Sequence, residues 1–121
     1  MATILIIDDE ESIRHLLREV LEKAGHQVLE ASNGREGLEI YQKQPADLVI
    51  MDLLMPDTDG LETTLQLTRE YVDAKVIAIT GAQGDRNFLD VANLFGARRT
   101  FQKPFDLNKL LQAVQEELAA K

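Results

Sequence analysis

The chain contains no cysteine, which excludes a disulfide framework and a thiolate zinc site. It opens with no secretory leader pattern, and it has no apolar run long enough to span a membrane. The expectation is a cytoplasmic protein with no membrane partner. Basic residues are in the minority: 13 Lys and Arg stand against 21 Asp and Glu, a net charge of −8. A surface of that sign is unsuited to non-specific nucleic-acid binding, so no direct nucleic-acid contact is expected. Internal repeats, low-complexity segments and linkers are also missing. What is present is 121 residues, 45% of them hydrophobic. That is enough for one sizeable core and too apolar for disorder. A single domain over residues 1–121 is expected, because the last helical stripe runs to within a few residues of the end.

The chain is organised around residues 48–60. Leu48, Val49, Ile50 and Met51 form a short unbroken apolar run, the pattern of a strand buried on both faces. Asp52 follows directly, and packing does not explain it, since an unpaired buried charge is costly. Pro56 and Gly60 then turn the chain. Further strands are read at residues 3–7, 27–31, 75–80 and 98–102, with 27–31 more polar and nearer a sheet edge. Between them lie helical stripes. Ile13, Leu16, Leu17, Val20, Leu21 and Ala24 make a clean one-sided face, capped by Ser12 or the acids before it and closed by Gly25. Residues 37–43, with Leu38 and Tyr41 inward, make a weaker helix stopped by Pro45. Residues 61–71 and 85–95 are two more, the latter closed by Gly96. Asp106 caps the last helix, whose apolar positions are Leu107, Leu110, Leu111, Val114 and Leu118. Five strands alternating with five helices predict an α/β fold, a doubly wound parallel sheet with helices on both faces.

Sites in such sheets form outside the carboxyl ends of the strands. The first strand ends in Asp8 and Asp9, the third in Asp52, the fourth in Thr80 and the fifth in Lys103. The second ends in Ala31 and contributes nothing. Three carboxylates on one rim repel one another, and a hard divalent ion such as Mg²⁺ relieves that. Lys103 and the Thr80 hydroxyl suit phosphate oxygens. Metal, carboxylate, amine and hydroxyl together suit phosphoryl transfer, in which a carboxylate can itself be the nucleophile. Taken singly, each residue has a plainer reading. Asp8 and Asp9 read equally well as helix-capping acids, Thr80 as a strand end, Lys103 as a solvated turn residue, and Asp57 and Asp59 as turn formers. The plain readings leave the convergence of four strand ends unexplained.

Over its whole length the chain resembles the receiver domains of two-component response regulators. The matching motifs are Ile7-Asp8-Asp9-Glu10, Asp52-Leu53-Leu54-Met55-Pro56 with Asp59-Gly60, Thr80-Gly81, and Lys103-Pro104-Phe105. The resemblance implies a flavodoxin-like three-layer sandwich with strand order 2-1-3-4-5. It implies that Asp52 is the phosphoacceptor, taking a phosphoryl group from a phosphohistidine on a sensor histidine kinase or phosphotransfer protein. Asp9, Asp52 and the backbone carbonyl of Leu54 would ligate Mg²⁺, with Asp8 acting through water. Lys103, Thr80 and the Gly81 amide would hold the phosphoryl group, and the Lys103–Pro104 bond would be cis. The output would be a change in the face made by the 85–95 helix, the last strand and the last helix, read by a downstream protein. Enzymatic activity would be limited to the domain's own phosphorylation and dephosphorylation. The domain would be a monomer or weak homodimer, with Arg98 and Arg99 beside Asp85 and Asp90 available for pairing.

One position departs from the family. Receivers usually carry Tyr or Phe three residues before the lysine, coupled to the threonine; here Thr100 stands there, and Phe101 points to the opposite face. Thr80 and Thr100 are therefore the expected switch positions. Thr100 alone favours the alternative, an interaction scaffold that does not use phosphorylation. A phosphatase of the haloacid dehalogenase type would need an acid where Leu54 stands. A flavodoxin-like carrier would need a phosphate loop where Asp8-Asp9-Glu10-Glu11 stands.

Overall fold

The computed structural model describes residues 2–55, 58–81, 90, 92–93 and 95–120. β1 (Thr3–Ile7) leads into α1 (Glu11–Lys23), β2 (Gln27–Ala31), α2 (Gly34–Lys43) and β3 (Leu48–Asp52). A two-residue antiparallel ladder follows, β4 (Leu54–Met55) against β5 (Thr58–Asp59). Then come α3 (Gly60–Glu70), β6 (Val76–Thr80), β7 (Arg99–Gln102) and α4 (Leu107–Ala119). The main sheet is parallel, in the order β2-β1-β3-β6-β7. Counted over its own five strands, that is the expected 2-1-3-4-5. The described residues contain four helices rather than the five expected. The 85–95 helix falls mostly outside them, although Asp90, Ala92 and Asn93 have helical backbone.

Strand alternation divides the core into two layers. Ile4, Ile6, Leu48, Ile50, Ile77 and Ile79 face one way, against Leu17 and Leu21 of α1 and Leu110 and Val114 of α4. Leu5, Ile7, Val49, Met51, Val76 and Ala78 face the other way, with Tyr41 of α2 and Leu67 of α3. Every residue of β3 and β6 is buried, which is why these strands read as unbroken apolar runs. Burying each such apolar side chain contributes about 1.5–3 kcal/mol, so the ends of β3 and β6, which carry Asp52 and Thr80, are anchored in the buried core.

Local differences have local causes. The N-cap of α1 is Glu10, whose side chain caps nothing. Ser12 lies inside the helix, and the nearest carboxylate cap is Asp8, whose Oδ1 accepts from the Glu10 N–H at 2.8 Å. α2 starts at Gly34, three residues earlier than expected. Asn33 Oδ1 accepts from the Glu36 N–H (2.9 Å) and Glu36 Oε1 accepts from the Ser32 N–H (3.0 Å), so the turn residues form a reciprocal cap. Leu16, placed on the apolar stripe, is 42% exposed. Gly25 and Gly96 adopt positive φ, 94° and 107°, as helix closures. Asp106 caps α4 as expected, accepting from the Asn108 and Lys109 N–H groups. The Lys103–Pro104 bond is cis.

Candidate functional site

Asp52 is the last residue of β3, its side chain 2% exposed. Asp8, one residue past β1, is fully buried. The two strands are register neighbours, Ile7 opposite Met51, so both carboxylates arrive at the same rim. Glu10 joins them: one ligand oxygen from each of Asp8, Glu10 and Asp52 lies within 4.8 Å of the others. Lys103 enters from beyond β7. Its Nζ is 2.8 Å from Glu10 Oε1, 3.1 Å from Asp8 Oδ2 and 3.5 Å from Asp52 Oδ2. Its position is set by the backbone, because its N–H donates to the Thr80 carbonyl at 2.7 Å. Thr80, at the tip of β6, is fully buried. Gly81 is exposed beside it, and a Cβ there would touch only Lys103 Cδ, at 3.9 Å.

Three carboxylates share one ammonium, so the formal charge of the cluster stays negative. Burial alone pulls the Lys103 pKa down. The hydrogen bond to Glu10 and the charges of Asp52 and Asp8 outweigh that and hold it above the ordinary lysine value. Asp8 Oδ2 is buried and receives no hydrogen bond. It lies 3.1 Å from Lys103 Nζ, with which it pairs by charge. A buried carboxylate oxygen without a hydrogen bond, in a group of three acids, is a donor set suited to a hard divalent cation.

The structure brings together Asp8, Asp52 and Lys103, with Thr80 and Gly81 on the adjoining strand end. It leaves Asp9 outside the trio, and Glu10, like Asp9 exposed, occupies that place. The backbone of Leu54 belongs to β4. Thr100 sits in β7 opposite Ala78. Phe101 packs on the α1 and α4 layer, away from the Thr100 face, as alternation requires. Asp57 and Asp85 lie outside the described residues. The end of β2, expected to contribute nothing, carries Glu30, which is bonded by Arg14 (3.0 Å) and Arg18. Burial pushes the Glu30 carboxyl up, but the hydrogen bonds from Arg18 and Arg14 prevail and hold it below the usual value.

The family model for the response regulator receiver domain matches residues 4–115. The chain belongs to that family. This receiver is 37% identical to sporulation initiation phosphotransferase F of Bacillus subtilis, covering 98% of this chain and 94% of that protein. It is equally identical to Protein PilH of Pseudomonas aeruginosa, covering 98% and 99%. Among solved structures, TrrA of Thermotoga maritima, in complex with Mg²⁺-BeF, matches at a TM-score of 0.87 and 34% identity, over 97% of this chain and 99% of that one. A putative response regulator from Chloroflexus aurantiacus matches at a TM-score of 0.91 and 30% identity, over 98% of each chain. Receivers are signalling switches of two-component systems rather than enzymes in the usual sense. A phosphorylated aspartate and Mg²⁺ at an acidic pocket are typical of them. No helix among the described residues is long and apolar enough to cross a membrane.

Proposed function

We propose that this receiver is a phosphorylation-controlled switch in a two-component phosphorelay, with Asp52 as phosphoacceptor. The carrying observation is Lys103 Nζ drawn among Asp8, Glu10 and Asp52, beside a buried Asp8 oxygen that lacks a hydrogen bond. An Asp52 carboxylate oxygen attacks the phosphorus of a phosphohistidine on a sensor kinase or phosphotransfer protein. An O–P bond forms, the P–N bond breaks, and the imidazole nitrogen leaves with the electron pair. Lys103 exchanges its carboxylate partners for the incoming phosphoryl oxygens, and the Thr80 hydroxyl and Gly81 amide bond others. Asp52, Asp9 and the Leu54 carbonyl, with Asp8 through water and Glu10 beside them, would hold Mg²⁺, which would supply the positive charge that such a transfer needs.

The output is a population shift on the face of β7 and α4, with Thr80 and Thr100 as switch positions, read by a downstream protein. Thr100 cannot supply an aromatic rotamer, so the signal takes another form there. A monomer is the favoured state: Arg98 and Arg99 are engaged within the chain by Glu117 (3.5 and 3.0 Å), and Arg99 also by Glu116 (2.8 Å). The expected setting is the cytoplasm. The test is intact-mass analysis after incubation with a small acyl phosphate, with and without Mg²⁺, for the parent and Asp52→Asn. One phosphoryl group requiring both Mg²⁺ and Asp52 supports the switch. No label on a folded, Mg²⁺-binding parent sinks it and promotes the scaffold that Thr100 favours.

A further inference from the structure

Arg14 stands in the first turn of α1 and touches two strand ends at once. Its Nη1 donates to the Asp8 carbonyl at 2.6 Å, and its Nε donates to Glu30 Oε1 at 3.0 Å. Its side chain is only 15% exposed. The backbone of Asp8 is therefore gripped on both sides, since its N–H donates to the Ala31 carbonyl at 3.1 Å. The side chain is held at one oxygen, because Oδ1 accepts from the Glu10 N–H at 2.8 Å. That leaves Oδ2 as the one oxygen of Asp8 without a hydrogen bond, turned toward the cluster and 3.1 Å from Lys103 Nζ.

We propose that Arg14 is a positioning residue: bridging the Asp8 carbonyl and Glu30 fixes where Asp8 Oδ2 and Glu10 stand, and so sets the divalent-cation affinity of the cluster. This rests on the Mg²⁺ reading above. A planar guanidinium can reach two acceptors from two different nitrogens in a fixed fork, which an ammonium cannot. An ordinary stabilising ion pair would need only Glu30. Arg18 is that ordinary case. It bonds the same Glu30 carboxylate and Glu22, its side chain is 42% exposed, and its remaining bond goes to the Val28 carbonyl at 3.4 Å. Arg18 thus provides the control inside the same network.

The test uses the full chain as Arg14→Gln, Arg14→Lys and Arg18→Gln, with two readouts. In metal-free protein, hydrogen exchange of the Glu10 amide should rise about tenfold in Arg14→Gln and stay at the parent value in Arg18→Gln. By titration calorimetry, Mg²⁺ binding should weaken roughly 10- to 100-fold in Arg14→Gln, the range seen when a group orienting a metal ligand is lost. Arg14→Lys should recover part of the affinity, and it provides the measurement if Arg14→Gln does not fold. Glu10 exchange that is the same in the Arg14 and Arg18 variants overturns the positioning role, whatever the metal does. Equal Mg²⁺ affinity in both overturns the link to the cation. A folded parent that takes no Mg²⁺ instead overturns the reading on which that link rests, while the exchange measurement still decides the position of Arg14.

Discussion

Gly60 opens α3 directly behind the acceptor, and replacing it with alanine should disturb both stability and chemistry. A Cβ on Gly60 would lie 2.3 Å from the Asp52 carbonyl oxygen, 2.5 Å from Leu53 Cα and 3.0 Å from Leu53 C. Carbon atoms pack best at about 3.5–4.0 Å, so the new methyl sits roughly 1 Å inside contact. All three neighbours are backbone, so no side chain can swing aside. Either α3 or the end of β3 must move. Overpacking costs about 1–3 kcal/mol, and a backbone clash belongs near ~3 kcal/mol. A chain of this length has an unfolding entropy of about 0.25 kcal/mol/K, so the melting temperature should fall by ~12 °C. Gly81→Ala is the control. Its Cβ meets only Lys103 Cδ, at 3.9 Å, and the change should shift melting by about 2 °C or less. Far-UV circular dichroism melts of the three proteins give the comparison. A Gly60→Ala protein melting within about 2 °C of the parent would refute the argument that close backbone approach behind Asp52 requires glycine.

Three further outcomes follow from the same structure. Asp106→Ala removes the acceptor for the Asn108 and Lys109 N–H groups and should cost about 1 kcal/mol in urea unfolding; an unchanged midpoint would show that the cap is redundant. Lys103 has a folded pKa above its ordinary value, so its stabilisation is complete below the unfolded pKa and is lost as pH rises through the folded one. The stability difference between parent and Lys103→Met should therefore shrink as pH climbs past about 10.4; a difference that grows there contradicts the cluster. Glu117, 8% exposed and facing Arg98 and Arg99, should cost about 1 kcal/mol as Glu117→Gln in guanidinium-free urea melts, and less in high salt. A cost that ignores salt would point to packing instead.

β1, β3 and β6 are legible because they are buried parallel strands, which leave continuous apolar runs, whereas the edge strands β2 and β7 are only partly buried and carry polar residues. Asp52 and Thr80 are legible for the same reason, and Lys103 as the residue that follows the last strand. A polar residue at the tip of an apolar strand has its position fixed by the sheet. Asp8 followed from β1 in the same way. Glu10 was not legible as a member of the cluster. It lies on the loop past β1, and which of two adjacent acids reaches the cluster depends on how α1 is seated. Both are exposed, and Glu10 is the one that reaches Lys103. The Asn33–Glu36 cap is in plain view as an Asn followed three residues later by Glu, but the same residues also read as a turn. Arg14 carried no local signal, since its meaning comes from Glu30, 16 residues away. Pro56 and Gly60 both read as turn residues in the sequence. Gly60 has a second reason, the approach to Asp52, that only the packing of α3 shows.

The most direct test locates the phosphoryl group. After labelling with a small acyl phosphate and Mg²⁺, borohydride reduction converts an aspartyl phosphate to homoserine, and peptide sequencing by mass spectrometry reads its position. Homoserine at position 52, and nowhere in an Asp52→Asn control, is the predicted result. Homoserine at position 8 or 9 with Asp52 intact, or a label that borohydride leaves untouched, would contradict Asp52 as the acceptor.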